Sequence, residues 1–301
     1  MQDQHDTDSE HLKALAGGGK LAADRRTVLK GLTAGGFAMA AGPVLSEAIT
    51  TPSTGLIEDR VLVNVGDDDM FAYRAKPAHK KHPPVILVVP EIFGVHAYIE
   101  DVVRRFAQAG FYAMAPDIFF RHGEPGQYAT VAEILQNVIS KMDDAQVMQD
   151  LDKCVEFAAG DGGNTGQLAV TGFCWGGRIT WLYTAHNPMV RAGVAWYGKL
   201  VGPSTALTPK QPVDLAADLK APVLGLYGAE DTSIPLNTID DMRTALVKAA
   251  PGNANAAQTH IEVFANAQHG FHADYRNTYN STAAKQAYNQ ALQFLRRRGL
   301  L

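Results

Sequence analysis

From Pro84 to the C-terminus, short apolar runs alternate with longer segments of helical period, and this alternation constrains the fold more than any other feature. "PVILVVP" (84–90), "FYAMAP" (111–116), "LAVTGF" (168–173), "AGVAWYG" (192–198), "PVLGLYG" (222–228) and "HIEVFA" (260–265) read as strands. Helices are expected over about 97–109, 129–139, 144–159, 177–186, 237–249 and 282–298. The inner runs have no polar face, so both sides of each strand must be covered. Strand–helix alternation meets that need as a mostly parallel sheet flanked by helices on both faces, an α/β class. Ahead of it, "RVLVNV" (60–65) and "MFAYRA" (70–75) can pair as a hairpin through "GDDD". There is no internal repeat and no break in composition, so one domain is expected over residues 58–301.

The first forty residues are of another kind. "DRRTVLKGLTAGGFAMAAGP" carries the pair Arg25-Arg26, then a Gly/Ala-rich, mildly apolar stretch and the small-x-small site Ala38-Met39-Ala40. That order reads as a twin-arginine export signal over residues 1–40. The stretch is too short and too weakly apolar for a membrane span. Such a chain engages the twin-arginine export machinery and works in the periplasm. Residues 41–57, with Pro, Ser and Thr and no clean period, read as a linker.

Of the 301 residues, 46% are hydrophobic, enough for a sizeable core, and 19% are charged, too few for a disordered chain. A net charge of −4 gives no general field for nucleic acid or anionic lipid. Two cysteines exclude a disulfide framework. Cys154, in "DLDKCVEFAA", reads as a buried small hydrophobe.

The other cysteine stands in "VTGFCWGG", between a strand and a helix. Gly172-Phe173-Cys174-Trp175-Gly176 is the thiol form of a nucleophile elbow. Glycines two residues either side let neighbouring backbone approach, and the following helix aims free N–H groups at any oxyanion formed there. An acid and then a base should follow in chain order. "YGAEDTSIP" offers Asp231, with Glu230 the weaker choice, and "NAQHGFH" offers His269, both after strand ends. His269 would take the thiol proton and Asp231 would hold the imidazole. His269 and His272 could form a metal pair, but no further ligand cluster is visible, and a catalytic histidine beside a structural one is the better reading. Trp196, Tyr197 and Trp175 could line an apolar pocket or fill the core.

"PEIFGVHAYIEDVVRRFAQAGFYAMAPDIFFRHG", "VTGFCWGGR", "YGAEDTSIP" and "AQHGFH" together resemble the dienelactone hydrolase family (carboxymethylenebutenolidases) of α/β-hydrolases over about residues 58–299. The resemblance implies an α/β-hydrolase fold, with Cys174 as nucleophile, Asp231 and His269 as its partners and Glu91 as a carboxylate that accepts the thiol proton when substrate binds. It implies an oxyanion hole from the backbone N–H groups of Ile92 and Trp175, and a substrate carboxylate held by Arg121. Glu91 also stands out alone, because a carboxylate at the end of an apolar strand is costly unless paired or functional. The family's second arginine lies four residues after the histidine, where this chain has Ala273; His272, Tyr275 and Arg276 are near, but none occupies the slot. A carboxylate held by one cation binds less tightly than one held by two, which leaves the dienelactone substrate itself open.

The expected activity is hydrolysis of a small ester or lactone through a thiol acyl-enzyme, by a monomer, without metal or organic cofactor. A thioesterase or acyltransferase with the same residues is a neighbouring reading, and a non-catalytic ligand-binding homologue a more distant one. A thiol redox protein is disfavoured, because Cys174 has no second cysteine within three residues.

Overall fold

A computed structural model describes residues 48–66 and 68–301; the expected export signal and the first part of the linker lie outside the described residues. Eight strands form one sheet: β1 (Leu56–Asn64), β2 (Asp69–Pro77), β3 (Pro84–Val89), β4 (Tyr112–Pro116), β5 (Asn164–Phe173), β6 (Val190–Trp196), β7 (Val223–Gly228) and β8 (His260–Phe264). Their order across the sheet is β1-β2-β4-β3-β5-β6-β7-β8. The β1–β2 hairpin is antiparallel, β2 meets β4 antiparallel, and every pairing from β4 through β8 is parallel. The mostly parallel α/β sheet expected from the alternation is therefore the one observed.

The helices are α1 (Ala97–Gln108), α2 (Val131–Asn137), α3 (Asp144–Gly160), α4 (Trp175–His186), α5 (Leu236–Ala249) and α6 (Ser281–Arg297), with one further turn at Ala254–Ala257. They divide between the two faces as the period of β3 dictates. Val85, Leu87 and Val89 share a core with Leu151 and Cys154 of α3, Ile179 of α4 and Met242 of α5. Ile86 and Val88 share the other with Val102 and Phe106 of α1 and Phe294 of α6. All five of these strand residues are fully buried, each stabilising the fold by about 1.5–3 kcal/mol. Burial also pushes the Cys154 thiol pKa up, so it is an inert packing group as expected.

Several boundaries differ from the sequence reading, and three have a clear local cause. β1 starts at Leu56, inside the segment read as linker, because the pairing of Leu56 with Pro77 continues the hairpin ladder. The helix expected over about 129–139 starts at Val131, where Thr130 and Glu133 form a reciprocal capping box. It breaks at Val138 into a tight turn, Ile139–Lys141. α4 starts two residues early, at Trp175, because the chain enters it directly from the turn at Cys174.

The sheet order places the site. β3 sits between β4 and β5, so successive crossovers leave it in opposite directions and open a crevice beyond its carboxyl end. Glu91 and Ile92 follow β3, and Cys174 follows β5, its neighbour.

Candidate active site

Cys174 has φ 55° and ψ −115°, a backbone state that costs about 1–3 kcal/mol for a residue with a side chain. The surroundings over-determine it. Its N–H donates to the Trp196 carbonyl at 3.0 Å, and its carbonyl accepts from the N–H groups of Gly177 at 3.0 Å and Arg178 at 3.3 Å. The flanking glycines are required by contact. A methyl group on Gly172 would lie 2.1 Å from the Gly176 carbonyl oxygen, and one on Gly176 would lie 2.2 Å from that of Val89. The first turn of α4 is thus pressed onto the ends of β5 and β3, and the thiol is left half-buried on a cavity wall.

Asp231, in the loop after β7, is buried, whereas Glu230 is exposed. One Asp231 oxygen accepts from the N–H groups of Ser233 at 2.8 Å and Ile234 at 3.0 Å. The other lies 2.8 Å from His269 Nδ1. Of the two adjacent acids, Asp231, the one preferred from the sequence, is the one the turn directs toward His269. His269, in the loop after β8, shares the cavity wall with Cys174. Burial alone would lower the imidazole pKa, but the neighbouring Cys174 and Asp231 side chains outweigh it and raise it to about 10. The ring of Tyr197, itself at φ 38°, packs edge-on against His269.

These groups open onto a cavity of about 550 Å³. Ile92, Trp175 and Tyr197 line it. Trp175 is the first residue of α4, so its N–H has no partner within the helix. Trp196 is core, not wall: its indole N–H donates to Thr171 at 3.0 Å and its ring stacks on Phe173. His272 is likewise structural, buried with Nδ1 2.6 Å from the Tyr98 hydroxyl.

Glu91 is fully buried, and its carboxylate is engaged by other side chains. It accepts from the Tyr275 hydroxyl at 2.6 Å and lies 3.5 Å from the Arg276 guanidinium. Arg121 is not on the cavity wall; it pairs with the buried Asp150 and lies over the Phe120 ring. The cavity cations are instead Arg276, Lys199 and Arg178, the last held by two bonds of 2.7 Å to Asp144. Sequence reasoning noted Arg276 but gave it no role, because it compared fixed positions. Ala273, at the slot itself, is fully buried in the core, and the loop continues three residues before a cation reaches the cavity. The signal was present in Gly270: its φ of 75° and bare face admit the Arg276 guanidinium, which a methyl group there would meet at 2.8 Å.

Comparison with known proteins places these features in a family. Residues 70–299 match the model of the dienelactone hydrolase family. A carboxymethylenebutenolidase homologue of Methylorubrum extorquens is 49% identical over 278 residues, covering 92% of this chain and 94% of that one. One of Escherichia coli is 44% identical over 265 residues, covering 88% and 96%. A crystal structure of a dienelactone hydrolase homologue from Klebsiella pneumoniae superposes with a TM-score of 0.77 at 47% identity, covering 80% of this chain and 98% of that one.

Proposed function

The chain belongs to the dienelactone hydrolase family and is a hydrolase of lactone or ester bonds, and from that premise we propose that it acts through a Cys174 acyl-enzyme served by His269 and Asp231. The observation that carries this reading is the His269 imidazole, on one cavity wall with the Cys174 thiol and 2.8 Å from the buried Asp231 carboxylate, the three residues standing at the ends of three parallel strands.

The thiol proton passes to His269, whose raised pKa favours holding it, and the sulfur then attacks the substrate carbonyl. The backbone N–H groups of Ile92 and Trp175 take the oxyanion, which is where backbone dipoles contribute most. Collapse breaks the carbon–oxygen bond, and His269 protonates the departing alkoxide. Water, deprotonated by His269, then attacks the thioester and releases acid and free thiol. Asp231 keeps the imidazole Nδ1 protonated throughout, so that Nε2 faces the reaction. The resting contacts favour His269 over Glu91 as partner of the thiol, since Glu91 is held by Tyr275 and Arg276. Arg276 is the group best placed to meet a substrate carboxylate, in the role the family resemblance gave to Arg121.

Hydrolysis of simple lactones and of p-nitrophenyl acetate and butyrate by the wild type and Cys174→Ala tests this. Turnover that vanishes in Cys174→Ala supports it, and equal turnover by both refutes it. With water as the acceptor in preference to added alcohols or thiols, the transferase reading falls. We propose further that residues 1–40 are an export signal and that the mature protein is periplasmic; N-terminal sequencing that finds an intact Met1 in the mature protein would overturn this.

A further inference from the structure

α2 is apolar on two faces. Ile134 and Val138 are fully buried in the core, yet Val131, Leu135, Ile139 and Met142 of the same segment line the cavity. Their spacing of four, four and three residues puts them on one side of α2 and of the turn that follows it. Val131 and Leu135 are 36% and 46% exposed, whereas Ile139 and Met142 at the other end of the row also pack on the core. Ile92, Phe93, Trp175 and Ile234 extend the same apolar surface toward Cys174. From Val131 to Ile139 the row is about 12 Å long at helical rise, long enough to take an extended chain of about eight carbons along its whole length. A small bicyclic or monocyclic lactone would leave most of it bare.

We propose that this row is a binding site for an unbranched apolar chain of about six to eight carbons on the ester that Cys174 cleaves. The inference rests on the hydrolase reading above and names the substrate class of that site. Cavities that bind organic ligands are lined in this manner, with a few polar groups fixing orientation, and here His269 and Arg276 share the wall with Cys174. The chain lies along the row in place of water, and each methylene it covers raises kcat/KM about two- to fourfold.

Two series test it: p-nitrophenyl esters with acyl chains from acetyl to decanoyl, and n-alkyl acetates from ethyl to decyl. The expected result is a rise in kcat/KM to six to eight carbons in one series, which flattens in Leu135→Asp and persists in Leu135→Met. Thermal melting of the same proteins separates this from a folding defect. Flat profiles in both series, or a slope unchanged in Leu135→Asp, overturn the proposal. A readout without turnover is protection of Cys174 from iodoacetamide by 1-octanol against 1-butanol. Stronger protection by octanol that is lost in Leu135→Asp supports the site; equal protection overturns it. If no ester is turned over, the hydrolase reading fails, and the protection result decides the apolar site by itself.

Discussion

Replacing Asp231 by Asn should stall the enzyme after its first chemical step. Asn keeps the oxygen that accepts from Ser233 and Ile234, so the loop holds its shape. The oxygen facing His269 Nδ1 becomes an NH₂ group, a donor where an acceptor stood at 2.8 Å. The imidazole must then present an unprotonated Nδ1, which puts its proton on Nε2, toward the thiol. It can no longer act as a base there. The two steps suffer unequally. A free thiol is ionised to a few per cent at neutral pH without help, so acylation slows by no more than about 30-fold. Water has no such reserve, and deacylation loses the general base outright, about 10³-fold or roughly 4 kcal/mol in the barrier. The thioester should therefore accumulate. With p-nitrophenyl butyrate, stopped-flow absorbance should show a burst of p-nitrophenol followed by a slow steady state. Intact-protein mass spectrometry should find one butyryl adduct, absent when Cys174→Ala is combined with Asp231→Asn. Melting temperature should barely move, whereas Asp231→Ala, which loses both loop bonds, should cost about 2 kcal/mol. An Asp231→Asn protein with no burst and no adduct, or with deacylation at the wild-type rate, would refute the assignment of Asp231 and His269 to these roles.

Arg276→Gln removes the cation beside the fully buried Glu91 and should destabilise the fold by about 3 kcal/mol; urea denaturation should show most of that loss recovered when Glu91→Gln is added. Asp117, in the loop after β4, has its pKa raised from 3.8 to about 7 by burial and by the neighbouring Glu124 charge. Between those values the folded carboxyl holds a proton that the unfolded one has released, so stability should fall as pH rises through this window. Melting temperatures across it should show that fall in the wild type and much less of it in Asp117→Asn.

The central sheet was legible because burying β3 on both faces forces a continuous apolar run, and no solvated strand has that composition. The elbow was legible for a related reason: Gly172 and Gly176 are demanded by backbone contacts close to 2 Å, so the geometry leaves its mark on the sequence. The cavity was not. Arg121 and Trp196 turned away from it, toward Asp150 and Thr171, because a side chain's direction at a strand end depends on partners far along the chain. Arg276 reached it through a loop whose path no local pattern specifies. The second apolar face of α2 was invisible for a different reason. Val131 and Leu135 carry the same residue types as core positions, and only the finished fold shows that among the described residues they stay exposed.

His269 belongs to the loop after β8, and β8 is an edge strand with β7 as its sole neighbour in the sheet. The elbow on β5 is complete some ninety-five residues earlier in the chain. As the polypeptide emerges from the ribosome, Cys174 can take its place in the interior of the sheet while its base has yet to be made. On the proposed reading, a nascent chain would therefore carry a positioned thiol before the base that serves it. The same order runs in reverse under stress. Fraying of a single edge strand would withdraw the base while the rest of the sheet stays intact, so loss of activity should precede loss of fold.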